Sequence, residues 1–132
     1  MKEKEVNTKP IAEHIYQGQR MEQIACEYLQ QKGFQLVQQN FRCYLGEIDL
    51  IMRDQDAMVF VEVRSRGRTD YGTALESINR SKQIKLIRAA TCFLQWEKIL
   101  YKVSSRFDVV AIQRTPGNLK IDWIKSAFTS HW

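Results

Sequence analysis

The chain has 132 residues, 44% hydrophobic and 27% charged, which suits one domain with its own core and excludes a low-hydrophobicity disordered chain. Its formal charge of +5 and pI of about 9.2 modestly favour a polyanionic partner, and no apolar run is long enough to span a bilayer. Cys26, Cys43 and Cys92 are scattered, odd in number and without paired spacing, which argues against a disulfide framework or zinc site and for a reducing, cytoplasmic setting.

The opening MKEKEVNTKP is charged and lacks the apolar core of a signal peptide. Residues 1–17 read as a loosely ordered arm ahead of a single domain over 18–132. From Gly18 to Lys32, Met21, Ile24, Ala25, Tyr28 and Leu29 recur at helical spacing and form one buried stripe, which Gly33 closes. Glu22 sits at the border of that stripe. It is either a surface carboxylate with a buried stem or one held towards something, and the first is the commoner case.

Phe34 to Gln39 reads as a short first strand, with Asn40-Phe41-Arg42 leading onwards. Gly46-Glu47-Ile48-Asp49-Leu50-Ile51 and Val59-Phe60-Val61-Glu62-Val63-Arg64 then have the β-branched and aromatic content of strands. Asp54, Gln55 and Asp56 lie at the centre of the seven residues between them, too few for anything but a hairpin. A turn centred between Gln55 and Asp56 sets Asp49 opposite Glu62, Glu47 opposite Arg64 and Ile51 opposite Phe60. Gln55-Asp56 lacks a strong two-residue turn signature, and a loop of three or five residues would shift this register. Alternation places all four charged residues on one face. Directly opposed like charges destabilise a sheet. A divalent cation between Asp49 and Glu62 resolves that conflict; a bland alternative turns one acid to solvent and pairs the other with an arginine.

After Arg64 comes a glycine-punctuated loop bearing Arg66 and Arg68, and Thr73-Ala74-Leu75-Glu76 has a capping-box pattern. Asn79-Arg80-Ser81 reads as an interruption, with Ser81 capping a second helix. From Ile84 to Trp96 that helix is apolar around most of its circumference, and Lys82, Lys85 and Arg88 share the remaining stripe. A solvated face explains the stripe, and a nucleic-acid contact is the sharper alternative. Arg106 to Gln113 is a strand, Thr115-Pro116-Gly117-Asn118 suits a type II turn, and Leu119 to Ile124 returns antiparallel. The tail from Ser126 turns helical in this reading, with Phe128 covering the core. Asp108 is read as a structural salt-bridge partner rather than a site residue. His14 and His131, in the arm and the tail, join no credible triad. The order is α-β-β-β-α-β-β, an α/β or α+β fold with a mixed sheet of about five strands flanked by helices.

The motifs Gly46-Glu47-Ile48-Asp49-Leu50-Ile51, Phe60-Val61-Glu62-Val63-Arg64 and Arg106-Phe107-Asp108-Val109 resemble the YraN family of small bacterial proteins. Gly18, Glu22 and Ala25 before Gly33-Phe34 resemble its first helix, and Lys82, Ala89 and Leu94 its second. That family is similar in turn to archaeal Holliday-junction resolvases and to the PD-(D/E)XK superfamily, with a restriction-endonuclease-like fold. The resemblance implies an endonuclease acting on branched or structured DNA with Mg²⁺ or Mn²⁺. It matches Glu22, Asp49 and Glu62 to the metal-binding acids, and Arg64 to the position of the catalytic lysine. Arg66, Arg68, Lys82, Lys85 and Arg88 would then grip the nucleic-acid backbone, and resolvase-like behaviour implies a dimer. Arg64 departs from the pattern. A guanidinium cannot accept a proton from water, although it can neutralise a phosphate, and Lys82 is the candidate ammonium in its stead. The alternatives are a catalytically weak or inactive nucleic-acid-binding protein of the same fold, and a protein-interaction module whose acids are structural.

Overall fold

The computed structural model describes residues 18–66 and 78–130. The N-terminal arm with His14, the capping-box segment, Arg68 and His131 lie outside the described residues, as does the side chain of Arg66. A helix over residues 18–31 (α1) is followed by β1 (Gln35–Cys43), β2 (Gly46–Asp54) and β3 (Ala57–Arg66). Helix α2 (Arg80–Trp96) and strands β4 (Ser104–Thr115) and β5 (Asn118–Phe128) complete the described elements. The five strands lie side by side in chain order; β3 and β4 pair in parallel, and the other neighbours are antiparallel. The fold is therefore α+β with a mixed sheet, as the patterning indicates.

Each sheet face buries one of the described helices. Met21, Ala25, Cys26 and Leu29 of α1 pack with Leu50, Met52, Val59, Val61, Val110 and Ile112. Leu86, Ala89, Ala90 and Phe93 of α2 pack with Phe41, Ile51, Phe60 and Phe107 on the opposite face. Helix α1 ends as its sequence predicts: Gly33 takes φ +98°, and the Phe34 N–H reaches back to the Leu29 carbonyl at 3.1 Å. Among the described residues, no helix is long and apolar enough to cross a membrane.

The β2–β3 hairpin has the expected register, with Ile51 opposite Phe60 and Asp54 opposite Ala57. The two-residue Gln55-Asp56 turn is accommodated by a left-handed Gln55, φ 57°. Thr115 pairs with Asn118 across a turn in which Gly117 takes φ +76°, as a type II turn requires.

Four boundaries differ from expectation. Strand β1 runs four residues beyond Gln39, through a left-handed Asn40 (φ 51°) and past a register shift between Leu36 and Gln38. Asn79, not Ser81, caps α2: its Oδ1 accepts from the Lys82 N–H at 2.9 Å. Strand β4 extends two residues beyond the predicted span at each end. Ser126 to Phe128 continue β5 instead of turning helical; Ser126 N–H is held by the Asp108 carboxylate at 3.0 Å, and Phe128 stacks on Phe107 at 4.8 Å.

A candidate metal centre at the end of the central hairpin

The ladder between β2 and β3 stops at Leu50–Val61, one pair short of Asp49 and Glu62. Strict alternation also breaks here. Ile48 and Ile51, three residues apart, pack in the same α2-side cluster, while Leu50 faces α1. The Asp49 carboxylate enters the gap and accepts the Val63 N–H at 2.8 Å, a bond that fixes its position between the strands.

From that position Asp49 meets two other acids. Its carboxylate lies beside Glu22 from α1 and Glu62 from β3, close enough for its charge to act on both. Burial, reinforced by the Asp49 charge, pushes both glutamates from 4.5 up to about 7. For Glu22 a hydrogen bond from Asn40 opposes the rise and the Glu47 charge adds to it. For Glu62 the nearby Lys82 and Arg64 oppose the rise and are outweighed. Lys82 Nζ lies 3.4 Å and Arg64 Nη1 3.6 Å from Glu62 Oε2, whose side chain is 7% exposed. Glu22, Asp49 and Glu62 all line one cavity of about 300 Å³, together with Gly18, Met21, Val63 and Ser65.

The structure separates the remaining predicted residues. The Glu47 carboxylate takes Arg42 Nε at 3.2 Å, its register partner on β1, and the β2–β3 ladder ends before the position at which it would face Arg64. The β1 register was not legible before β1 itself was extended, so this partner was missed. The basic stripe of α2 divides: Lys82 turns to Glu62, while Lys85 and Arg88 are exposed. Asp108 is a structural group, as read. Almost fully buried, it accepts Arg106 Nε at 3.1 Å, Trp123 Nε1 at 3.0 Å and the Ser126 N–H. Arg106 also pairs with Asp54 at 3.0 Å. Asn40 is a site residue that sequence reading missed; Asn, a residue that tolerates left-handed backbone, just after a strand is the one signal that pointed to it.

Three hard carboxylates around one cavity suit Mg²⁺ or Mn²⁺ by donor chemistry. Among the described residues, however, no group of three or more His, Cys, Asp and Glu side chains stands as a ready ligand cage. The contacts are pairwise through Asp49, and Glu62 Oε2 leans on two cations. Mg²⁺ is commonly held by one or two carboxylates with waters completing its octahedron, so a preset three-acid cage is not required. The donor set fits such an ion.

Comparison with known proteins places the chain in a family. The model described as "Uncharacterised protein family UPF0102" matches residues 21–112, a span that includes all three acids. The chain belongs to the UPF0102 family. This is the YraN family that the motifs resemble. A UPF0102 protein of Nitrosococcus oceani is 45% identical over 117 residues, covering 89% of this chain and 94% of its own. A UPF0102 protein of Pseudomonas syringae pv. syringae is 46% identical over 114 residues, covering 86% and 93%. One from Vibrio cholerae is 44% identical over 115 residues, covering 86% and 93%. The alignments thus span nearly the full length of these relatives.

Proposed function

We propose that the protein is a divalent-metal-dependent phosphodiesterase acting on branched or otherwise structured nucleic acid, DNA in the first instance. One observation carries the reading: Glu22, Asp49 and Glu62, acids from three elements, line one cavity, and burial there disfavours the charges of the two glutamates. A fold does not crowd desolvated carboxylates without opposing benefit, and perturbed acids in a cleft are a recognised mark of functional sites. Asp49 and Glu62 would hold the ion, with Glu22 as a third ligand or as the acceptor for a metal-bound water. A bound Mg²⁺ or Mn²⁺ supplies an acidified water and polarises the phosphoryl oxygen.

The chain's own residues account for the rest. The Val63 N–H holds Asp49 in place and leaves its second oxygen for other partners. Arg64 and Lys82 both pair with the Glu62 carboxylate. With the acids engaged elsewhere, both cations become available to a scissile phosphate, where Arg64 stabilises charge without taking a proton. Lys82, its Nζ 3.4 Å from Glu62 Oε2, would supply the ammonium that Arg64 replaces on the strand. Lys85 and Arg88 continue the positive surface along α2, suited to sequence-independent contacts with the phosphate backbone.

The test is cleavage of four-way junction, flap and duplex DNA in Mg²⁺ and in Mn²⁺. Wild-type protein should nick structured substrates, and Asp49→Asn and Glu62→Gln should abolish nicking. The second reading, a binding protein with impaired chemistry, is favoured by the guanidinium at Arg64. It predicts binding without cleavage in wild type and cleavage gained in Arg64→Lys. Absence of both binding and cleavage overturns both readings.

A further inference from the structure

Beside the acid cavity lies a second, larger groove of about 550 Å³ between α1 and edge strand β1. The two share Glu22 as a common wall. The groove is unusual in what lines it: Gln19, Gln23 and Gln30 from α1 face Gln39 and Asn40 from β1. Each amide offers two donor hydrogens and two acceptor lone pairs. The internal hydrogen bonds they make (Gln23 to Glu27, Gln39 to Cys26, Asn40 to Glu22) leave donor and acceptor capacity over. Leu36, 38% exposed, adds an apolar surface to the same groove.

Charge narrows what the groove can take. Glu22 and Glu27 line it, and none of its described lining residues is Lys or Arg. A phosphate group would meet two carboxylates and no cation there. A neutral planar ligand with mixed donors and acceptors meets matching amides, as adenine does with Asn or Gln. The volume is within the roughly 300–1,000 Å³ typical of small-ligand sites.

We propose that this groove is a nucleobase subsite, receiving an unpaired base of the strand whose phosphate lies at the acid cavity. The inference rests on the phosphodiesterase reading for what occupies the neighbouring cavity, and it names the substrate feature: an unpaired nucleotide next to the scissile phosphate. A base in a duplex has its pairing edge occupied and is stacked, whereas one in a gap, flap or junction can present that edge to side chains. Lys82 of α2 reaches the acid cluster at Glu62 and the groove adjoins it at Glu22, so a strand with its phosphate at the cavity would present a neighbouring base to the groove.

The test is fluorescence anisotropy in EDTA, with a labelled duplex carrying a one-nucleotide bulge, the same duplex fully paired, and the bulge made abasic. Wild type should favour the bulge over both controls by about tenfold, the worth of one or two hydrogen bonds. Gln39→Leu keeps bulk and removes the amide. Because Gln39 touches buried Cys26, the exposed pair Gln19→Leu/Gln30→Leu serves as a second variant. Both should lose the preference while binding paired duplex and Mn²⁺ as wild type does. Equal affinity for bulged and abasic DNA, or a preference intact in both variants, overturns the proposal. Free adenosine monophosphate competing as well as the oligonucleotide overturns the assignment to a polymer. Cleavage by wild type with no bulge preference removes the subsite and leaves the phosphodiesterase standing. A preference lost in the variants, with no Mn²⁺ binding or cleavage in wild type, does the reverse.

Discussion

Replacing Glu62 with glutamine should stabilise the metal-free protein at high pH and leave it nearly unchanged at low pH. The wild-type carboxyl is 7% exposed, and burial with the Asp49 charge raises it from 4.5 to about 7. A raised acid binds its proton more tightly in the folded state than in the unfolded state. The associated stability is therefore complete below 4.5 and is lost as pH rises through about 7. The size of that loss is on the order of 3 kcal/mol, from 1.36 kcal/mol per pH unit. Glutamine keeps the shape and cannot ionise, so the variant escapes the loss. Arg64 and Lys82, 35% and 38% exposed, can be solvated when their partner becomes neutral. At roughly 3–5 °C per kcal/mol for a domain of this size, the melting temperatures should diverge by about 10 °C above neutrality. Thermal melts of both proteins in EDTA across this range give the comparison, and the difference between them cancels titrations elsewhere. Added Mn²⁺ should recover the wild type at high pH and do little for the variant. A difference that is flat with pH, or a variant less stable above neutrality, refutes the reasoning.

Other expectations follow from the same geometry. Asp108→Ala should destabilise by about 3–5 kcal/mol in urea unfolding, because it takes the acceptor from Trp123 Nε1 and the Ser126 N–H and leaves Arg106 with Asp54 alone, yet leave Mn²⁺ affinity unchanged. Asn79→Ala removes the α2 cap and should cost about 1 kcal/mol by the same measurement. Gly46→Ala would bring a Cβ to 3.2 Å from the Lys85 carbonyl, which belongs to the helix backbone, so a loss of about 1–3 kcal/mol is expected. Lys82→Ala should lower cleavage by about 100-fold or more with the melting temperature little changed, in line with loss of one electrostatic group at the reacting phosphate.

Much of this arrangement was legible in the chain because local rules decide it. The α1 stripe, the Gly33 stop and the β2–β3 register depend on periodicity and a two-residue turn, and all three stand in the structure. The convergence of acids from α1, β2 and β3 was reached through family resemblance and could not be read from spacing alone. It depends on a broken ladder and a parity change at Asp49, neither of which has a sequence signature. Glu47 illustrates the limit: hairpin register gave it Arg64, but the strand on its other side supplied Arg42. Sequence patterning ends β1 at Gln39, whereas the strand carries on through a left-handed Asn40, whose side chain goes to Glu22. The continuation of β5 to Phe128 was hidden for a tertiary reason, since Asp108, eighteen residues earlier, holds the Ser126 N–H.

Isothermal titration calorimetry with Mn²⁺, and then Mg²⁺, on wild type and Asp49→Asn bears most directly on the acid cluster. Binding at one site, with proton release from Glu22 and Glu62 near neutral pH and its loss in Asp49→Asn, is the predicted result. No heat of binding in a folded wild type, or equal binding by the variant, would contradict it.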